Sequence, residues 1–131
     1  MHMLLAIVLP AAAQMDYSLL LGTWVNPQYD TERQVSRWVW KSDGTLEEYY
    51  TTYATEPLYV FTFTVEEEWK DLEGVHWYKV VATLDWRFYY LLIRISPDGM
   101  TYEEDLKRYH LREFTSVIDP ESYFYATYKR E

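Results

Sequence analysis

The chain has 131 residues, with 14 Tyr, 6 Trp and 5 Phe but only 4 Gly, 5 Pro and no Cys. That is the length of one domain, apolar enough to bury a core, so disordered, collagen-like and low-complexity classes are excluded, as are disulfides, thiolate zinc sites and a thiol nucleophile. A net charge of −9 argues against phosphate backbones and anionic membranes as partners and fits a soluble surface around an aromatic-rich interior.

Residues 4–13, Leu-Leu-Ala-Ile-Val-Leu-Pro-Ala-Ala-Ala, are the one long apolar run. The run is too short to span a bilayer, which takes about 20 residues, so no stable membrane insertion is expected. It suits the apolar region of a secretory signal, and Ala11 and Ala13 stand at −3 and −1 of a cut before Gln14. Residues 1–13 therefore read as a truncated signal segment, although Met1-His2-Met3 carries no basic residue, and 14–131 as the folded domain. Export to the periplasm or the exterior is the expected localisation. Asp16 to Leu21 reads as one helical turn, with Asp16 or Ser18 as its cap.

Short runs rich in Val, Thr, Tyr, Trp and Phe then follow one another. They predict eight strands, near 22–27, 35–41, 45–53, 59–68, 75–84, 87–96, 100–107 and 122–130. Asp43-Gly44, Glu73-Gly74, Asp85-Trp86 and Asp98-Gly99 mark tight connections, and 109–121 is the longest late one. Strands joined in sequence by short turns make a meander, and eight close most simply into an all-β, antiparallel up-and-down barrel. A two-sheet sandwich is the alternative, but sandwiches need crossovers, and 109–121 is the one candidate.

Strand residues alternate between faces, so a mid-strand Lys or Arg marks the outside. Arg37 and Lys41 put Trp38 and Trp40 inside; Lys79 puts His76, Tyr78, Val80 and Ala82 inside; Arg94 puts Tyr89, Leu91, Ile93 and Ile95 inside. Phe61, Phe63 and Val65 face in, with Thr62, Thr64 and Glu66 outward. Lys129 leaves Phe124, Ala126, Tyr128 and Arg130 on the other parity, and a bulge in any strand would invert part of this. Trp77, Val81, Phe88, Tyr90 and Leu92 fall on the outer parity. Either the N-terminal segment or the 109–121 connection covers them, or they form a homodimer or protein-partner surface.

Motifs for catalysis are absent: no nucleophile elbow, P-loop, dinucleotide fingerprint or metallohydrolase pattern occurs. His2, His76 and His110 are scattered, so no transition-metal site or cofactor is expected, and His76 reads as a hydrogen-bonded core residue. The carboxylate clusters Glu47-Glu48, Glu66-Glu67-Glu68 and Glu103-Glu104-Asp105 are split between faces by strand alternation. They read as solvated edges, with a calcium pair at Glu66 and Glu68 as the alternative.

Leu20-Leu21-Gly22-Thr23-Trp24-Val25-Asn26 resembles the opening Gly-x-Trp signature of the lipocalins and the wider calycin group. Lys41-Ser42-Asp43-Gly44-Thr45, the run Thr62 to Asp71 leading to Trp77-Tyr78-Lys79, and Asp119-Pro120 before the last strand resemble small bacterial lipocalin-like domains. The two Cys of many secreted lipocalins and the long helix after the eighth strand have no counterpart. The resemblance implies that Gly22 and Trp24 close one end of the barrel, with Arg130, or as the fallback Lys129, packed over the indole. It also implies a non-catalytic protein holding a small hydrophobic molecule among Trp38, Trp40, Tyr50, Phe61, Phe63, His76, Tyr78, Tyr89, Leu91 and Ile93. The alternative is a barrel filled by those side chains, in a secreted or envelope protein acting through its outer surface.

Overall fold

A computed structural model describes residues 15–31, 34–108 and 112–131; the expected signal segment, His2 and His110 lie outside them. Eight strands form: β1 Gly22–Val25, β2 Arg37–Trp40, β3 Thr45–Tyr49, β4 Tyr59–Lys70, β5 His76–Leu84, β6 Arg87–Ile95, β7 Thr101–Arg108 and β8 Ala126–Arg130. Each pairs antiparallel with the next, and β8 returns to β1, closing an up-and-down barrel with no free edge.

Three connections at one end are built alike. Asp43, Asp71 and Asp98 each accept a backbone N–H two residues on, from Thr45, Glu73 and Met100. This side chain mimics a turn, and it fixes the hairpins β2–β3, β4–β5 and β6–β7. At the opposite end β5 and β6 turn through Asp85-Trp86, with Asp85 at φ 56°, the left-handed conformation that two-residue hairpins need.

Two strands are shorter than their composition suggests, because side chains compete for their backbone. β3 stops at Tyr49: Asp30 takes the Thr52 N–H, and the Arg37 guanidinium takes the carbonyls of Thr52 and Ala54. β8 begins only at Ala126, since 119–125 fold into turns closed by Asp119 and Ser122.

Alternation holds across the barrel. Trp38, Trp40, Leu46, Phe61, Tyr78, Val80, Tyr89, Leu91, Ile93, Tyr102 and Tyr128 are all buried in one core. A bulge between Val65 and Glu67 shifts the β4 register and reverses its facing. Trp69 thereby pairs with outward Trp77, and their rings stack at 5.8 Å. The connection after β7 covers part of the outer apolar face: Phe114 meets the Tyr90 ring edge-on at 5.0 Å, and the Arg112 guanidinium lies 4.2 Å over Phe88. No helix among the described residues is long and apolar enough to cross a membrane.

Candidate functional site

The two ends of the barrel differ in construction. One end is sealed by a hydrogen-bonded turn at Tyr17–Leu21, in which Asp16 accepts both the N–H and the hydroxyl of Ser18. Leu20 is buried beneath it, and its carbonyl accepts the Trp24 indole N–H at 2.9 Å. The Arg130 guanidinium lies 4.1 Å over the Trp24 ring. It donates to the carbonyls of Leu19, Leu21 and Gly99, tying the turn, β8 and the β6–β7 hairpin together. Burial lowers the Arg130 pKa from its ordinary value, as expected for a cation held by carbonyls rather than carboxylates. Gly22 sits at φ +120°, and a Cβ there would stand 2.9 Å from Arg130 Nη1.

Among the described residues, the other end is not closed in this way. A cavity of about 360 Å³ enters the barrel there, within the range of small-molecule sites. Its rim comes from the two long connections: Thr31, Gln34 and Val35 before β2, and Tyr123, Phe124 and Tyr125 before β8. Its deeper wall is Trp38, Glu48, Tyr89, Glu104, Leu106, Ala126 and Tyr128.

Two carboxylates therefore stand inside the barrel. Glu48 is 1 % exposed and Glu104 2 % exposed. Alternation puts them there: Glu48 follows Leu46 on β3, and Glu104 follows Tyr102 on β7. Glu48 stands opposite Trp38 in the β2–β3 register and accepts the Tyr89 hydroxyl at 3.3 Å. Glu104 accepts the Tyr102 hydroxyl at 2.7 Å. Tyr128 feels both carboxylates. Burial first, then the Glu104 charge and more weakly that of Glu48, push its phenol well above the ordinary value. Its hydroxyl donates to the Val35 carbonyl at 2.8 Å. The Trp38 indole N–H lies near enough to that hydroxyl to favour its ionised form, yet makes no hydrogen bond of acceptable geometry.

Of the ten residues expected to surround a ligand, Trp38 and Tyr89 line this cavity. Trp40, Phe61, Phe63, Tyr78, Leu91 and Ile93 are buried in the packed core. Trp40 meets Phe63 edge-on at 4.9 Å, and Phe61 lies 4.7 Å from Tyr89. Tyr50 is half-buried just beyond β3. His76 is half-buried at the sealed end, between Lys70 and Ile95 in the register. Sequence reasoning missed Glu48, Glu104, Leu106 and the rim residues. The same parity argument that placed the tryptophans would have found the two glutamates, had acidic residues not been assigned to the surface.

The remaining carboxylates sit elsewhere. Glu103, outward on β7, binds Arg94 at 2.8 Å and accepts the Tyr125 hydroxyl. Asp105 is buried on the outer parity and accepts the Ser122 hydroxyl. Glu66, Glu67 and Glu68 are exposed, and no group of three or more His, Asp or Glu among the described residues is placed to hold a metal ion. No family model, curated protein or solved structure matches the chain.

Proposed function

We propose that the chain is a lipocalin-like binding protein that holds one small, largely apolar molecule in the open end of its barrel, without catalysing its conversion. The observation that carries this reading is the 360 Å³ cavity entering a barrel whose opposite end is sealed. Such a shape gives one entrance, a rigid base and an aromatic wall, which together bury a ligand at little ordering cost. The Trp24–Arg130 stack over the sealed end supports the family reading, because that contact joins the first strand to the last. Action through the outer face is less well supported, since Phe114 and Arg112 lie over Tyr90 and Phe88.

The test uses the neutral fluorophore N-phenyl-1-naphthylamine with the full chain. Saturable one-to-one binding is expected, with energy transfer from tryptophan, and Ala126→Phe, which fills the cavity wall, should abolish it while circular dichroism stays native. A lack of saturable binding, or binding indifferent to Ala126→Phe, overturns the proposal. Native mass spectrometry of the protein from its own source would show the natural occupant as added mass.

A further inference from the structure

We propose that residues 119–125 form a lid over the cup, hinged at Ile118 and Ala126, and that a ligand enters when this segment swings away from β7. The proposal deepens the binding reading above and rests on it.

The cavity and its rim call for a moving part. The space is about 360 Å³, yet Trp38, Glu48, Tyr89, Glu104 and Tyr128 in its deep wall are each at most 4 % exposed. Solvent scarcely touches that wall, so an organic molecule does not reach it past the rim as it stands. Two segments make the rim, and they are held differently. The one before β2 is stitched to the barrel. Ser36 is buried and donates its N–H to the Tyr49 carbonyl, the Val35 carbonyl accepts the Tyr128 hydroxyl, and Asp30 takes both the N–H and the hydroxyl of Thr52.

The segment before β8 is built to come away. Its ends are fixed, since Ile118 and Ala126 are buried, but no residue from 119 to 125 is buried, and Tyr123 is 90 % exposed. Its turns close on themselves: the Ser122 N–H donates to the Asp119 carbonyl, and the Tyr125 N–H to the Ser122 carbonyl. A segment with few buried apolar contacts and local hydrogen bonds opens readily. β8 pairs with β7 only as far as Glu104, so beyond that point this segment, not a strand, lies against β7. Two side-chain hydrogen bonds fasten it to β7, from the Ser122 hydroxyl to Asp105 at 3.1 Å and from the Tyr125 hydroxyl to Glu103 at 2.6 Å. Water can replace both when they part. The segment therefore moves as one piece between two fixed points, as a lid does.

The chain has no cysteine, so one pair can be introduced at the touching side chains, Asp105→Cys with Ser122→Cys. Stopped-flow uptake of N-phenyl-1-naphthylamine by the full chain should slow at least tenfold when this pair is oxidised and recover on reduction, with the crosslink verified by intact mass. The opposite variant, Ser122→Ala with Glu103→Ala, removes both fastenings. It should speed uptake and release together, each at least fivefold, with native circular dichroism. Mere damage to the cavity wall would speed release and leave uptake unchanged. Uptake as fast in the crosslinked form as in the reduced one, or a loosened variant whose uptake stays within twofold of native, overturns the lid and leaves the cup intact. Where the crosslink does not form, the loosened variant decides alone. Failure of the naphthylamine to saturate the native chain overturns the cup reading itself.

Discussion

Replacing Arg130 with Met removes the guanidinium while keeping much of the apolar stem that covers Trp24. Its loss has three parts. The guanidinium–indole contact at 4.1 Å contributes about 1 kcal/mol in a partly buried setting. The hydrogen bonds to Leu19, Leu21 and Gly99 contribute about 1 kcal/mol each in net terms. Water recovers some of that, because the cation is only half-buried, and removing the charge also removes its desolvation cost. The expected net loss is about 3 kcal/mol, or roughly 10 °C in melting temperature for a domain this size. Arg130→Lys should recover less than half, because one ammonium cannot reach three carbonyls in different directions. Urea unfolding followed by circular dichroism measures the loss. Trp24→Ala alone should cost about 3–5 kcal/mol, and the double variant should fall short of additivity by about 1 kcal/mol, the share belonging to the stacked pair. Arg130→Met within 0.5 kcal/mol of native, or strict additivity with Trp24→Ala, would refute the claim that this stack seals the barrel.

Two further expectations concern the same core. Gly22→Ala should cost about 1–3 kcal/mol, because a φ of +120° and a Cβ 2.9 Å from Arg130 Nη1 leave the new methyl neither a relaxed backbone nor room; an unchanged urea midpoint would contradict this. In alkaline solution, Tyr78 and Tyr125 are pushed up to about 12 by burial, and Tyr102 and Tyr128 well above their ordinary value of 10.0 by burial first. A phenol whose folded pKa is raised stabilises the native state below its unfolded pKa, and that contribution is lost as pH rises from 10 toward 12. Absorbance at 295 nm should therefore show a class of tyrosines that ionises late and together with unfolding. A single transition near pH 10 with native circular dichroism would count against their burial.

The barrel was legible because its grammar is local. Turns such as Asp43-Gly44 and Asp98-Gly99 punctuate runs of period two, and one cation per strand is enough to orient each run. Arg94 alone places Tyr89, Leu91, Ile93 and Ile95, all buried. The cup was not legible for the same reason. A rule that sends every charge outward assigns Glu48 and Glu104 to solvent, and what holds them inside is partly non-local, since Tyr89 reaches Glu48 across 41 residues of chain. The β4 bulge was equally hidden. Nothing in Val65-Glu66-Glu67 announces a register shift, and it takes the pairing with β5 to reveal that Trp69 belongs outside. The long connections are the third gap: the rim residues Thr31 and Gln34 carry no strand pattern to read, and Tyr123–Tyr125 read as strand although they fold into a turn before β8.

The division of charge along the barrel follows from how each end is satisfied. At the sealed end a cation is held by backbone carbonyls, which are fixed by the turn and the hairpins and cannot move away from it. That arrangement uses no carboxylate to hold the cation. At the other end Glu48 accepts the Tyr89 hydroxyl and Glu104 the Tyr102 hydroxyl, donors that can rotate. The packed half is joined by a chain of ring contacts, Trp24 to Tyr102, Tyr102 to Trp40 and Trp40 to Phe63. Glu48 and Glu104 thus stand in the wall of the cavity, on strands that do not pair with each other, in the half of the barrel away from the Arg130 seal.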